Sequence, residues 1–213
     1  MNLAIFDVDG TLTDTNAVDS ECFVHALAAE FGIDSIDEDW STYPHTTDRA
    51  ILTEVLRRAW SRVPAEHELA AHRTRFLDLL HERMREGQEI PGAIAFLDAV
   101  REQGWAVVLC TGAWGDSARL KLARAGFPAD LPIASCDAAP SREEIVSAGL
   151  AMHGKSFDRV VVFGDAIWDL RTARNLQLPF IGVGGRSGSE YAIDDYRDSA
   201  AVFALMDAAD APR

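Results

Sequence analysis

The chain has 213 residues, of which 48% are hydrophobic, and carries a formal net charge of −14. Such a length holds one ample core, or a core with a smaller unit inserted, and the composition excludes a disordered chain. The negative charge is spread along the sequence, which argues against non-specific attraction to nucleic acid or to an anionic membrane. Cys22, Cys110 and Cys136 are odd in number and irregular in spacing, so reduced thiols and a cytoplasmic home are expected instead of a disulfide framework. Asp7 interrupts the apolar stretch after Met1 and no window reaches the length of a membrane span, so neither a signal peptide nor a membrane helix is expected.

The first apolar run, "LAIF" at residues 3–6, reads as a buried strand and is followed at once by "DVDGTLTD". About a hundred residues then separate it from the next strand, "AVVLC" at 106–110, far more than a crossover helix needs. Within that interval Cys22, Phe23, Ala26, Leu27 and Phe31 recur at helical spacing, as do Leu52, Val55 and Leu56, and then Phe76, Leu77, Leu80 and Met84. Residues 15–88 are therefore expected to form an inserted helical unit, with residues 1–14 and 89–213 as the core. In the core, Pro91 suits the first turn of a helix that stops at Gly104, and Gly126 ends the helix after "AVVLC". "PIAS" (132–135), "RVVVF" (159–163) and "FIGV" (180–183) read as further strands, and "SREE" at 141–144 has the capping-box spacing that makes Arg142 the first residue of a helix. Strands alternating with helices predict an α/β fold, a doubly wound and mostly parallel sheet.

Asp7, Thr111, Arg142 and Asp165 all fall at or just beyond the carboxyl ends of these strands, the edge at which open α/β sheets bind ligands. Carboxylates gathered there repel one another unless one is protonated or a cation is bound, and an all-oxygen, partly open site suits Mg²⁺. Asp7 beside a metal is placed to act as a nucleophile on a phosphoryl group, and Asp9 to protonate the leaving oxygen and then deprotonate water. Gly10 lets the backbone turn sharply. Thr111 and the backbone at Gly112 offer donors to phosphoryl oxygens near a helix start. Asp165 and Asp169, four apart, share one face of a starting helix, with Asp169 a second ligand or the partner that orients the first.

The chain has only two lysines. Lys121 lies about ten residues past Thr111 on a helix running away from the site, and Lys155 starts from the opposite sheet edge, so Arg142 is the expected phosphate-binding cation. In the insertion, "YPHTTDRAI" offers His45 and Arg49 to a substrate and Thr46 or Thr47 as an N-cap. Trp114 and Trp168 sit in loops near the site. His67 and His72 lack the spacing of a ligand pair and are expected to be solvated.

"DVDGT", the strand-Thr-Gly at 111, a basic residue opening a later helix and "GDAIWD" resemble, in order, the four motifs of the haloacid dehalogenase (HAD) superfamily. The insertion directly after the first motif is similar to the helical cap of its β-phosphoglucomutase and phosphoglycolate phosphatase branch. The resemblance implies a Rossmann-like core, Asp7 as nucleophile, Asp9 as acid and base, Thr111 on a phosphoryl oxygen, and Mg²⁺ held by Asp7, the Asp9 carbonyl and Asp165. Arg142 departs from the lysine usual in that family. Dehalogenase members lack an acid at the place of Asp9, so phosphoryl transfer is implied, on a small phosphate ester, by a phosphatase or alternatively a mutase. A receiver-type signalling domain combines similar residues, but with its acceptor on an internal strand and without a large insertion. A non-catalytic phosphate-binding protein would not need both Asp7 and Asp9.

Overall fold

The computed structural model describes residues 1–154 and 156–211. Strand β1 (Leu3–Phe6) pairs in parallel on one side with β2 (Ala106–Cys110) and on the other with β4 (Val160–Gly164). Beyond them lie β3 (Ile133–Ala134), β5 (Phe180–Val183) and β6 (Ala192–Ile193). The described residues thus form a six-stranded parallel sheet of order 3-2-1-4-5-6. β6, two residues long, was not legible in the sequence, because "AI" has neither the length nor the apolar run of a strand.

Burial on both faces is why these strands are apolar throughout. Leu3 and Ile5 face one layer with Ile145 and Val146 of α6 (Arg142–Met152) and Leu170 and Ala173 of α7 (Ile167–Asn175). Ala4 and Phe6 face the other, with Phe96 of α4 (Ala93–Glu102), Ala118 and Leu122 of α5 (Gly115–Arg124) and Val202 of α8 (Ser199–Ala208). There Phe6 stacks on Phe163, ring centroids 4.5 Å apart. Pro91 lies in the turn before α4, not in its first turn: the helix begins only after Gly92, which takes a left-handed conformation at φ 83°.

Between β1 and α4 the chain forms α1 (Asn16–Phe31), a short 3-10 turn at Trp40–Thr42, α2 (Asp48–Trp60) and α3 (Glu66–Arg83). The outgoing and returning segments run side by side as a narrow neck. Asp14 N–H donates to Gln88 O at 2.9 Å and Ile90 N–H to Leu12 O at 2.8 Å. The helices bury Phe23, Leu27, Leu56, Phe76 and Leu80 against one another. His72 is fully buried among them, contrary to expectation. Its Nε2 meets Phe23 O at 3.0 Å, its ring lies against Phe23, and burial pushes its pKa down to about 4. A neutral imidazole with one backbone partner can fill an apolar helix face, which the spacing test for metal ligands does not detect.

The helical unit is seated on the core by polar contacts around the cleft. Thr47 Oγ1 caps α2, accepting from Ala50 N–H at 3.3 Å, and donates to Pro140 O at 2.9 Å. Asp48 N–H donates to Gly112 O at 2.9 Å, and Arg73 bonds Asp116 and Asp137 at 3.0 and 2.6 Å. Among the described residues no helix is long and apolar enough to cross a membrane.

Candidate active site

Asp7 continues β1 by one residue, its N–H donating to Phe163 O at 3.0 Å, so its side chain emerges at the carboxyl edge beside β4. The order reversal on either side of β1 opens a crevice at that edge. Gly10, at φ 78°, turns the chain there. A Cβ at this position would come within 2.1 Å of Asp165 Oδ2 and 2.3 Å of Asn16 Nδ2, so glycine is required twice over. Thr111 N–H bonds Ala134 O at 3.0 Å, and its hydroxyl accepts from Ala113 N–H at 3.1 Å, leaving its own proton free to donate.

Arg142 opens α6 behind the Ser141–Glu144 capping box. Its Nη1 lies 2.6 Å from Asp169 Oδ1 and 3.4 Å from Asp7 Oδ1, while Nε donates to Thr46 O at 2.9 Å. The guanidinium therefore ties floor to roof of the crevice, and lies 5.9 Å from the ring centre of Trp168. Gly112 permits this: a Cβ there would meet Thr46 O at 2.7 Å and Arg142 Nη2 at 2.8 Å. Asp169, buried near the start of α7, also accepts from Ala166 N–H at 3.1 Å. Asp165 is bonded by Asn16 Nδ2 at 3.2 Å and paired with Arg186.

Asp7, Asp165 and Asp169 each offer a carboxylate oxygen, and the three oxygens lie within 4.8 Å of one another. Burial and then the charge of Asp169 push the Asp7 carboxyl well above its ordinary value, although Arg142 opposes the shift. Burial raises Asp169 to about 6 against the pull of Arg142, and burial also raises Asp165 against that of Arg186. Three crowded carboxylates of this kind are hard oxygen donors that lack sufficient positive charge, which fits a divalent cation such as Mg²⁺. The Asp9 carboxylate is not part of this cluster, so only its main-chain carbonyl is left for the role the resemblance implies.

Asp9 is held elsewhere. Thr15 Oγ1 donates to Asp9 Oδ1 at 2.5 Å and Lys121 Nζ to Asp9 Oδ2 at 2.8 Å. The expectation that Lys121 runs away from the site is thus corrected. Six residues into α5 it is roughly 9 Å along the axis, but helix side chains lean back toward the N-terminus, and a lysine stem spans much of that distance. Lys121 is fully buried and also pairs with Asp19 of α1. Burial lowers its pKa, but the carboxylates of Asp19, Asp9 and Asp48 outweigh that and raise it. The sequence signal was a lone lysine on the same buried face as Ala118 and Leu122. Lys155 lies outside the described residues.

The crevice encloses about 620 Å³, part of it open to solvent, and is lined by Asp7, Asp9, Thr111, Gly112, Arg142 and Asp165 below and by residues of the helical unit above. His45 and Arg49 do not line it. They border a separate outer depression with Pro140 and Glu66, where Arg49 pairs with Glu66 at 2.5 Å. The loop before α2 turns Thr46 inward instead, and Asp48 and Ile51 follow on the same side. Trp168 lines the crevice, whereas Trp114 is buried with Arg73 stacked 4.9 Å from its ring.

Parallel sheet, inserted helices and an acidic crevice at the strand ends together give an α/β fold with its candidate site where such sheets bind ligands. Residues 1–177 match the model of the haloacid dehalogenase-like hydrolase family, and the chain belongs to that family. It is 27% identical over 187 residues to a phosphoglycolate phosphatase of Agrobacterium fabrum, covering 85% of this chain and 79% of the relative. A phosphonoacetaldehyde hydrolase of Bordetella pertussis is 29% identical over 152 residues, 65% of this chain and 55% of that one. Among solved structures, a hydrolase from Pseudomonas syringae superposes with a TM-score of 0.78 at 20% identity, covering 96% and 98% of the two chains. CbbY from Rhodobacter sphaeroides in complex with phosphate gives 0.71 at 22%, covering 92% and 95%.

Proposed function

We propose that this hydrolase is a Mg²⁺-dependent phosphatase that cleaves a small phosphorylated metabolite through an aspartyl phosphate on Asp7. The observation that carries the proposal is the buried Asp7–Asp165–Asp169 cluster, with Arg142 Nη1 2.6 Å from Asp169 and 3.4 Å from Asp7. Mg²⁺ held by Asp7, the Asp9 carbonyl, Asp165 and Asp169 would neutralise the carboxylates and a phosphoryl dianion beside them. Arg142 is preset to clamp phosphoryl oxygens, and Thr111 has a free hydroxyl proton to donate to one. Asp7 Oδ attacks phosphorus, and Asp9 gives a proton to the departing alkoxide so that an alcohol leaves. Asp9 then takes a proton from the water that attacks the aspartyl phosphate, releasing inorganic phosphate and restoring Asp7. Thr15 and Lys121 hold the Asp9 carboxylate between these two transfers.

Residues 15–88 serve as the cap and residues 1–14 and 89–213 as the catalytic core, in a cytoplasmic protein. The test is release of inorganic phosphate from p-nitrophenyl phosphate in Mg²⁺ with no bisphosphate activator present. Turnover that is abolished by chelation and by Asp7→Asn supports the proposal. Isomerisation of a sugar phosphate without phosphate release would favour a mutase, and activity retained in Asp7→Asn would remove the mechanism.

A further inference from the structure

The roof of the crevice, contributed by the helical unit, includes Asp19, Ser20, Phe23, Trp40, Asp48 and Ile51, with the neutral Asn16 and Thr46 beside them. It carries two carboxylates and two aromatic rings, and among the described residues no lysine, arginine or histidine side chain of the helical unit lines the crevice. The one lining cation, Arg142, belongs to the floor and is engaged with Asp7 and Asp169. Lys121, sealed behind the wall, is shared between Asp9 and Asp19. Asp48 accepts only a neutral N–H, from Trp114 at 3.0 Å. Asp9 and Asp19 therefore share a single ammonium, and Asp48, whose burial beside Asp19 favours the protonated carboxyl, is an acid that a cation bound in the crevice would ionise.

A leaving alcohol lies on the side of phosphorus away from the nucleophile and so faces this roof. A carboxylate or second phosphate on that alcohol would meet carboxyl groups and no unengaged cation in the lining. A hydroxylated neutral group would be accepted. An ammonium would pair with the Asp48 carboxylate that it ionises and lie beside the aromatic rings of Phe23 and Trp40, which attract cations. Phe23 and Trp40 meet edge to face, centroids 5.9 Å apart, and both line the crevice.

Resting on the phosphatase proposal, we infer that the preferred substrate is the phosphate monoester of an alcohol that bears an ammonium group, an amino alcohol or amino sugar, and that Asp19 and Asp48 select it. The reaction is ordinary ester hydrolysis, ester plus water giving the amino alcohol and inorganic phosphate. The purified full chain in Mg²⁺ is given two size-matched sets: phosphoethanolamine against hydroxyethyl phosphate and phosphoglycolate, and glucosamine phosphate against glucose phosphate. In at least one set kcat/KM is expected to be about tenfold higher for the ammonium ester than for the neutral one, the size of one desolvated cation contact. Phosphoglycolate is expected to be poorest. Asp48→Asn, which keeps an acceptor for Trp114 N–H, should shrink the ammonium-to-neutral ratio without reversing the order against the anion. Equal or better turnover of the neutral ester in both sets, or preference for phosphoglycolate, overturns the inference. p-Nitrophenyl phosphate is the control: its hydrolysis with no ammonium preference defeats this inference alone, whereas no hydrolysis of any ester defeats the phosphatase proposal as well.

Discussion

Floor and roof of the crevice solve the same electrostatic problem differently. On the floor, Asp7, Asp165 and Asp169 share two guanidiniums, Arg142 and Arg186, and bring three carboxylate oxygens within 4.8 Å of one another. On the roof, Asp19 shares the buried ammonium of Lys121 with Asp9 below it, Asp48 accepts only a backbone N–H, and among the described residues no lysine, arginine or histidine of the helical unit lines the crevice. The floor is organised around what all phosphate esters have in common. The roof faces whatever distinguishes one ester from another, and it offers carboxyl groups and aromatic rings without a cation of its own.

The largest effect expected from breaking this contrast is on the roof. Lys121→Met should cost about 3–5 kcal/mol of stability, because it strands buried carboxylates without a partner. Chemical denaturation checks this, and a loss below about 1 kcal/mol would mean that the pair is solvated. On the floor, Arg142→Ala should weaken inhibition by inorganic phosphate or vanadate by roughly 10- to 100-fold, the range for a charge-assisted clamp, with less effect on the melting temperature. An unchanged inhibition constant would return the role to another cation.

Asp48 gives a pH signature to the roof. Burial, and next the charge of Asp19, push its carboxyl from an ordinary value of 3.8 up to about 8. A group that binds its proton more tightly when folded contributes stability that is full below the unfolded value and is lost as pH rises through the folded one. The contribution of Asp48 to thermal stability should therefore fall from about pH 4 to about pH 8, and Asp48→Asn should flatten that fall by on the order of 1 kcal/mol per pH unit. A profile identical in wild type and variant would place Asp48 in contact with solvent. The smallest effect belongs to Arg186, whose side chain is 59% exposed beside a nearly buried Asp165. Arg186→Ala should change stability by less than about 1 kcal/mol, since exposed pairs are screened.

The same division separates what the sequence revealed from what it hid. Asp7, Thr111 and Asp165 directly follow apolar runs whose strand character is plain, and the parallel sheet carries them to one edge whatever the helices do. Arg142 was legible because a capping box fixes the first residue of its helix. Asp19, Asp48 and Lys121 were not, because their meeting depends on how α1, α2 and α5 rotate about their axes, which no local spacing encodes. The same rotation turns His45 and Arg49 outward while Thr46 and Asp48 face the crevice, and sends His72 into the apolar centre. Helix α1 also illustrates the limit of pattern: its buried residues Cys22, Phe23, Ala26 and Leu27 were plain, but Asp19 one turn earlier reads as a surface acid until Lys121 arrives from 102 positions away.

The most direct test of the account is to look for phosphate on Asp7. Acid quenching of the enzyme during turnover of p-nitrophenyl phosphate in Mg²⁺, followed by peptide mass spectrometry, should find one phosphoryl group on the peptide containing Asp7 and none in Asp7→Asn. Steady turnover with that peptide unmodified at every quench time, and persisting in Asp7→Asn, would contradict it.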